Sequence, residues 1–127
     1  MENRFLFRGK TISGNWVQGL LASKDDKWYI SNKAGAPFAY EIRPESICQC
    51  TGLKDKNGRL IFENDIMEAH IDEDFPEDVS RFKVEWNGKG WVENHPDGVD
   101  REYLDDFDTE HFKVVGNIFD NPELLEV

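Results

Sequence analysis

Basic charge is scarce in this chain: 15 Lys and Arg stand against 26 Asp and Glu in 127 residues, a net charge of −11. A surface this negative is repelled by nucleic-acid phosphates and anionic membranes unless a local basic patch intervenes. No stretch clusters Lys and Arg; Arg4, Arg8, Lys10 and Lys24 are the nearest candidates for such a patch. Long apolar runs are missing as well. Nothing approaches the ~20 apolar residues of a membrane span, and the first residues carry no apolar signal core, so a soluble, non-exported chain is expected. Cysteine is limited to Cys48 and Cys50. On a strand they point to the same face, but so short a loop is poor for a disulfide. A lone Cys-x-Cys without a second Cys/His pair is also poor zinc chemistry. Two reduced, partly buried thiols in a cytosolic protein are the expectation.

Familiar catalytic patterns are absent too. There is no Gly-x-Ser-x-Gly, no phosphate-binding loop and no dinucleotide glycine pattern. His70, His95 and His111 are far apart, with no metal-ligand spacing between any two. The run Asp55-Lys56-Asn57-Gly58 does not fit a calcium loop, whose glycine stands at the sixth position and not the fourth. Asp55, Glu63 and Asp65 are close-set carboxylates whose functional reading is an acid–base pair. Asp readily bonds nearby backbone N–H groups, so turn and strand-entry hydrogen bonding is the better reading of them. No catalytic, cofactor-binding or metal-binding residue is assigned, no cofactor is called for, and the chain is read as a non-enzyme.

What is present favours a packed β structure. With 39% of its residues hydrophobic and 13% aromatic Phe, Trp and Tyr, the chain is expected to be a packed globule and not an acidic tail. Folding should bury about two-thirds of the surface the unfolded chain exposes, enough for a modest core. Residues 4–8 alternate, with Phe5 and Phe7 opposite Arg4, Leu6 and Arg8. Residues 16–21 and 28–30 continue as strands around a charged turn at Lys24-Asp25-Asp26-Lys27, giving a meander. Residues 31–38 read as a surface loop, and Tyr40, Glu41 and Ile42 as a brief strand stopped by Pro44. Asn57-Gly58 is a hairpin signal, with both residues expected at positive φ in a type I′ turn.

The second half is sharper. Residues 65–71 alternate, Met67, Ala69 and Ile71 against Ile66, Glu68 and His70. An acidic loop over 72–78 is closed to helix and sheet by Pro76. In residues 81–86, Phe82, Val84 and Trp86 are expected to face the core. Asn87-Gly88-Lys89-Gly90 is a second hairpin turn leading to Trp91, Val92 and Glu93. Val99, Tyr103 and Phe107 suggest a helical turn or two over 99–107, although acids near its end oppose the helix dipole. Residues 112–119 form the last strand, with a bulge or close backbone approach at Gly116. Asn121-Pro122-Glu123 has the order of a helix start, with Leu124 and Leu125 as a terminal plug.

Several segments resemble a known family. Thr51-Gly52-Leu53-Lys54-Asp55-Lys56-Asn57-Gly58, followed by Ile61-Phe62-Glu63-Asn64-Asp65-Ile66, is similar to the signature of the YopX family, small proteins of tailed phages and prophages. Val115-Gly116-Asn117-Ile118-Phe119-Asp120-Asn121-Pro122-Glu123-Leu124-Leu125 looks like that family's closing motif. Phe7-Arg8-Gly9-Lys10 with Trp16-Val17-Gln18-Gly19, and Arg43-Pro44-Glu45-Ser46-Ile47-Cys48-Gln49-Cys50, are similar to its earlier patterns. The resemblance spans nearly the whole chain, with a variable middle over 72–109. It departs at Asn64, where the family usually has Gly; Asn is the next-best occupant of a positive-φ position. The resemblance implies a mainly β protein: an N-terminal β-rich segment over 1–63 and an SH3-like small barrel over 64–127, packed as one compact unit. It carries no activity and no catalytic residue.

The expectation for function is therefore an uncharacterised phage or prophage accessory protein in the host bacterial cytoplasm, acting through protein–protein contacts with an unknown host or phage partner, self-association included. Trp86 and Trp91 would anchor such a contact if exposed. One alternative is an acidic DNA-mimic inhibitor of a host nucleic-acid-binding protein, using residues 72–78 and 102–110. The other is nucleic-acid binding by the SH3-like barrel, which the charge disfavours.

Overall fold

The computed structural model describes residues 5–31, 39–70, 74–75, 79–96 and 102–126. It is mainly β and divides into two compact units, Met1–Gly52 and Leu53–Val127.

The first unit carries β1 (Phe7–Lys10), β2 (Trp16–Lys24), β3 (Lys27–Ser31), β4 (Tyr40–Ile42), a 3-10 turn at Pro44–Ser46 and most of β5 (Cys48–Lys54). Consecutive strands pair antiparallel as a meander, and β5 returns beside β1, giving the order β4-β3-β2-β1-β5. Ile42 pairs with Trp28 on β3 and also bridges Thr11, one residue beyond β1. The Arg43 N–H donates to the Lys10 carbonyl at 2.8 Å. The two ends of the meander therefore touch, and the sheet curls over Ile30 and Ile42, both buried. Cys48 and Cys50 are buried thiols, not joined in a disulfide, on one face of β5, with Gln49 exposed opposite, as their spacing implies.

Alternation misreads β1. Phe5 lies outside the strand and is exposed, whereas Arg8 is buried. The guanidinium of Arg8 sits 5.0 Å from the centroid of the Trp16 ring, so the long side chain covers apolar surface while its charge rests on an aromatic face. Arg4 and residues 32–38 lie outside the described residues.

The turns also exchange roles. Lys24 pairs with Lys27, leaving a two-residue loop in which Asp25 and Asp26 have φ of 54° and 65°. That is the type I′ pattern expected at Asn57-Gly58. At the latter, among the described residues, only Gly58 has positive φ (82°), and the Asp55 N–H reaches the Arg59 carbonyl at 2.8 Å. The loop is longer by one residue because the Asp55 carboxylate collects N–H groups from inside it, which a two-residue turn would not present.

The second unit holds β6 (Leu60–Phe62), β7 (Asp65–His70), β8 (Val79–Trp86), β9 (Trp91–Asn94), α1 (Asp106–His111), β10 (Lys113–Asn117) and a 3-10 turn at Pro122–Leu125. Where an SH3-like barrel was expected, the described residues form a four-stranded antiparallel sheet in the order β10-β7-β8-β9. Its core is Ile61, Met67, Phe82, Val84, Phe112 and Val114, with Ala69, Trp91 and Leu104 packed against it. Phe82 and Val84 face inward as expected; Trp86, at the end of the strand, is 47% exposed. Ile71, Pro76 and most of the acidic loop lie outside the described residues.

The register of β10 slips between Val114 and Gly116, the expected bulge. A Cβ at Gly116 would run into the Asn121 side chain, which folds back there and accepts the Asn117 N–H at 3.3 Å. Asn121 is thus engaged away from the turn at Pro122–Leu125 and does not cap it. Asn64, at φ 69°, occupies the positive-φ position, and its backbone is pinned to the Val84 carbonyl at 2.8 Å and the Ile118 N–H at 3.1 Å.

The helix expected over 99–107 is displaced to Asp106–His111. Asp105 caps it: its carboxylate accepts the Asp108 N–H at 2.9 Å, and the Asp108 carboxylate accepts the Asp105 N–H at 3.1 Å. The acids that opposed a helix ending at Phe107 instead sit in its first turn, where the dipole favours them. Residues 102–104 are extended, with Tyr103 bridged to Val92; residues 99–101 lie outside the described set.

Candidate functional site

The signature carboxylates serve the backbone. Asp55 is 6% exposed, and its Oδ1 accepts the N–H groups of Asn57 and Arg59, each at 2.9 Å. Its Oδ2 accepts the Val114 N–H at 2.9 Å, across 59 residues of sequence. The Lys56 N–H adds a bond to the Phe112 carbonyl at 3.1 Å. The signature turn is thereby docked on the strand that opens the closing motif. Asp65 is buried, and its Oδ2 accepts the Phe62 N–H at 2.7 Å, closing the turn that holds Asn64. Glu63 lies half-buried in that same turn.

A second carboxylate pair was not legible in the sequence. Glu93 on β9 and Asp108 on α1 are both 6% exposed, and each contributes to the shift of the other's carboxyl. Burial, which disfavours charge, raises the carboxyls of both. For Asp108 the rise reaches about 8, with Glu93 as the next contribution and the Asp105 backbone bond opposing it. Glu102 and Asp105 add like charge against Glu93. His95 brings Nε2 within 2.8 Å of Glu93 Oε1, and its ring lies 5.4 Å from that of Phe82. The only sequence signal was Glu93 continuing the alternation that puts Trp91 inward, which places an acid on a core-facing position.

The other histidines are placed separately. His70 is exposed at the end of β7, and His111 stacks on Phe107 at 4.2 Å with its Nδ1 2.8 Å from the Phe107 carbonyl. Among the described residues, no three His, Cys, Asp or Glu side chains are grouped so as to hold a metal ion. Nor is any described helix long and apolar enough to cross a membrane.

The β8–β9 hairpin tip carries an aromatic pair. Trp86 and Trp91 are direct cross-strand partners, their rings 5.0 Å apart and inclined at 60°. The Asn87 side chain holds the turn by accepting the N–H groups of Lys89 (2.8 Å) and Gly90 (2.9 Å). Tyr103 crosses beside Gly90, and its hydroxyl accepts from Asn87 Nδ2 at 3.3 Å. Trp91 is packed on the core and Trp86 is left outside it, so a rigid, half-exposed indole stands on a braced turn.

Charge is divided between the units. Residues 1–52 contain seven Lys/Arg and five Asp/Glu, a net of +2, whereas residues 53–127 contain eight and 21, a net of −13. The basic candidates Arg8, Lys10 and Lys24 all belong to the first unit. Lys10 Nζ, like the Arg8 guanidinium, lies over the Trp16 ring, at 5.4 Å from its centroid.

A family model described as YopX protein matches residues 10–126. Among solved structures, the chain is similar to protein EF1440 from Enterococcus faecalis at 25% identity and a TM-score of 0.56, covering 94% of this chain and 96% of that one. It is also similar in fold to protein yopX from Bacillus subtilis, with 13% identity, a TM-score of 0.61 and 98% of each chain covered. Comparison with curated proteins finds no match.

Proposed function

The chain belongs to the YopX family, and from that premise we propose that it is a phage or prophage accessory protein of the host bacterial cytoplasm that acts without catalysis, through a protein–protein contact at the β8–β9 hairpin tip. The observation that carries this reading is Trp86: nearly half exposed, yet fixed by its tilted contact with Trp91 and by a turn that Asn87 closes. An aromatic already held in place loses little conformational freedom on binding, which is why such residues dominate contact energetics. The buried carboxylates support the non-catalytic part of the reading, since Asp55 and Asp65 accept backbone N–H groups that would otherwise be unsatisfied.

The test is co-purification of the tagged wild-type chain and its Trp86→Ala variant from phage-carrying cells, followed by titration of the recovered partner. Loss of about 2 kcal/mol of affinity, roughly 30-fold, at unchanged thermal stability is expected of a hot-spot indole. Equal capture by both chains refutes the tip as the contact.

The acidic-mimic reading is favoured by a different observation, the −13 net charge of the second unit. It predicts a partner that binds nucleic acid, with affinity falling steeply with salt and indifferent to Trp86→Ala. The same charge weighs against direct nucleic-acid binding by the second unit.

A further inference from the structure

The chain has two Asn-Gly pairs, Asn57-Gly58 and Asn87-Gly88, and the fold employs their side chains differently. Asn87 closes its own turn: Oδ1 accepts the N–H groups of Lys89 at 2.8 Å and Gly90 at 2.9 Å, and Nδ2 donates to the Tyr103 hydroxyl at 3.3 Å. In the signature turn that work falls to Asp55, whose Oδ1 accepts the N–H groups of Asn57 and Arg59. The Asn57 carboxamide is thereby left idle, exposed and without a hydrogen bond among the described residues. Gly58 has no side chain to shield its backbone nitrogen, and nothing lies within 4 Å of where a Cβ would stand. Its N–H makes one bond, to the Asp55 carbonyl at 2.9 Å, within a turn whose residues 56–59 are all exposed.

We propose that Asn57 is a self-modification site, converted in water to aspartate and isoaspartate while Asn87 is spared, and that the isoaspartate form loosens the signature turn from β10. When the Gly58 N–H leaves the Asp55 carbonyl and gives its proton to solvent base, the nitrogen attacks Cγ of Asn57. The neighbouring position of the two groups makes this an intramolecular step. The new N–Cγ bond closes a succinimide ring, and the carboxamide nitrogen takes up a proton and departs as ammonia. Water then opens the ring at either carbonyl, so the balance is a water consumed and an ammonia released. At Asn87 the same attack first requires three side-chain bonds to break. Ring opening to aspartate keeps the main chain and adds only charge. Opening to isoaspartate routes the main chain through the side chain and adds a carbon between the Asn57 and Arg59 N–H groups that share Asp55 Oδ1. The other oxygen of Asp55 holds the Val114 N–H at 2.9 Å, so a displaced turn weakens the tie to β10.

The purified full chain, held for days in mildly alkaline buffer with and without urea, tests the site. Fragments of it are sequenced by electron-transfer mass spectrometry, which tells aspartate from isoaspartate. In the native chain conversion at Asn57 should outrun conversion at Asn87 by about tenfold or more, the effect of the additional hydrogen bonds that hold the second side chain. In urea, where those bonds are gone, the two pairs should convert at similar rates. The isoaspartate form, separated by ion exchange, should show amide exchange at Val114 faster by about two- to tenfold, whereas Asn57→Asp, which carries the charge alone, should match the unmodified chain there. Asn57→Gln, whose longer side chain closes the ring far more slowly, should remain unmodified at this position. Equal native rates at Asn57 and Asn87 overturn the proposal, as does an Asn57 that converts only in urea. Unchanged Val114 exchange in the isoaspartate form overturns the loosening of the turn.

Discussion

Replacing Asp55 by alanine should cost this protein a large share of its stability without touching the apolar core. Three backbone N–H groups converge on the Asp55 carboxylate, those of Asn57, Arg59 and Val114, each at 2.9 Å. Two of them lie in a partly exposed turn, where water can replace the lost acceptor at roughly 0.5–1 kcal/mol each. The Val114 bond is buried, and an orphaned N–H there, together with the loss of a charged acceptor, costs about 2–3 kcal/mol. The expected loss is about 3–5 kcal/mol, a large share of the roughly 5–15 kcal/mol that hold typical domains. Asp55→Asn separates the two parts. Its carbonyl can still serve the turn, but its NH2 then faces the Val114 N–H, donor against donor, leaving a cost of about 2 kcal/mol. Urea unfolding followed by tryptophan fluorescence measures both variants, and amide exchange at Val114 locates the damage. An Asp55→Ala chain within about 1 kcal/mol of wild type would refute the view that this residue binds the signature turn to β10, as would an Asp55→Asn chain that matches wild type.

Three further outcomes are expected. Gly116→Ala should destabilise by about 1–3 kcal/mol in thermal or urea melts, because the new methyl meets the Asn121 side chain, and Asn121→Gly in the same chain should recover part of the loss. Changing Asp25-Asp26 to Asn-Gly should stabilise by about 0.5–1.5 kcal/mol in the same melts, since both positions already have the positive φ of a type I′ turn and glycine adopts it without strain. Cys48 and Cys50 should react with a thiol reagent only at the rate at which the chain opens, and rapidly in urea, because both are buried and form no disulfide in the native fold. Rapid reaction of both thiols in the folded protein would contradict their placement.

Much of the fold was legible because its signals are local. Alternation over two-residue periods located most strands, and turn-forming residues located the hairpins, since both depend on a residue and its immediate neighbours. The meander of the first unit, the inward faces of Phe82 and Val84 and the bulge at Gly116 all follow from such short-range patterns. Where alternation failed, at Arg8 and at Trp86, the deciding contact was another strand: Trp16 offered Arg8 an aromatic face, and the end of β8 ran past the core before Trp86 could enter it. The displaced helix has a similar cause. Its periodic stripe of Val99, Tyr103 and Phe107 lost to the pairing of residues 102–104 with β9, an interaction invisible from spacing, and the acids that counted against the helix became its cap.

By itself, then, the sequence determined the mainly β character, the positions of most turns, the pairing of two cysteines on one buried face and the family to which the chain belongs. Each rests on local geometry or on motifs read in order. Only tertiary structure decided which carboxylates would be buried and what would meet them. Asp55 finds Val114 across 59 residues, and Glu93 finds Asp108 between a strand and a helix. Burial is a property of the assembled fold, and it is burial that turns an ordinary acid into a fastening for a turn in one case and raises the carboxyls of Glu93 and Asp108 in the other.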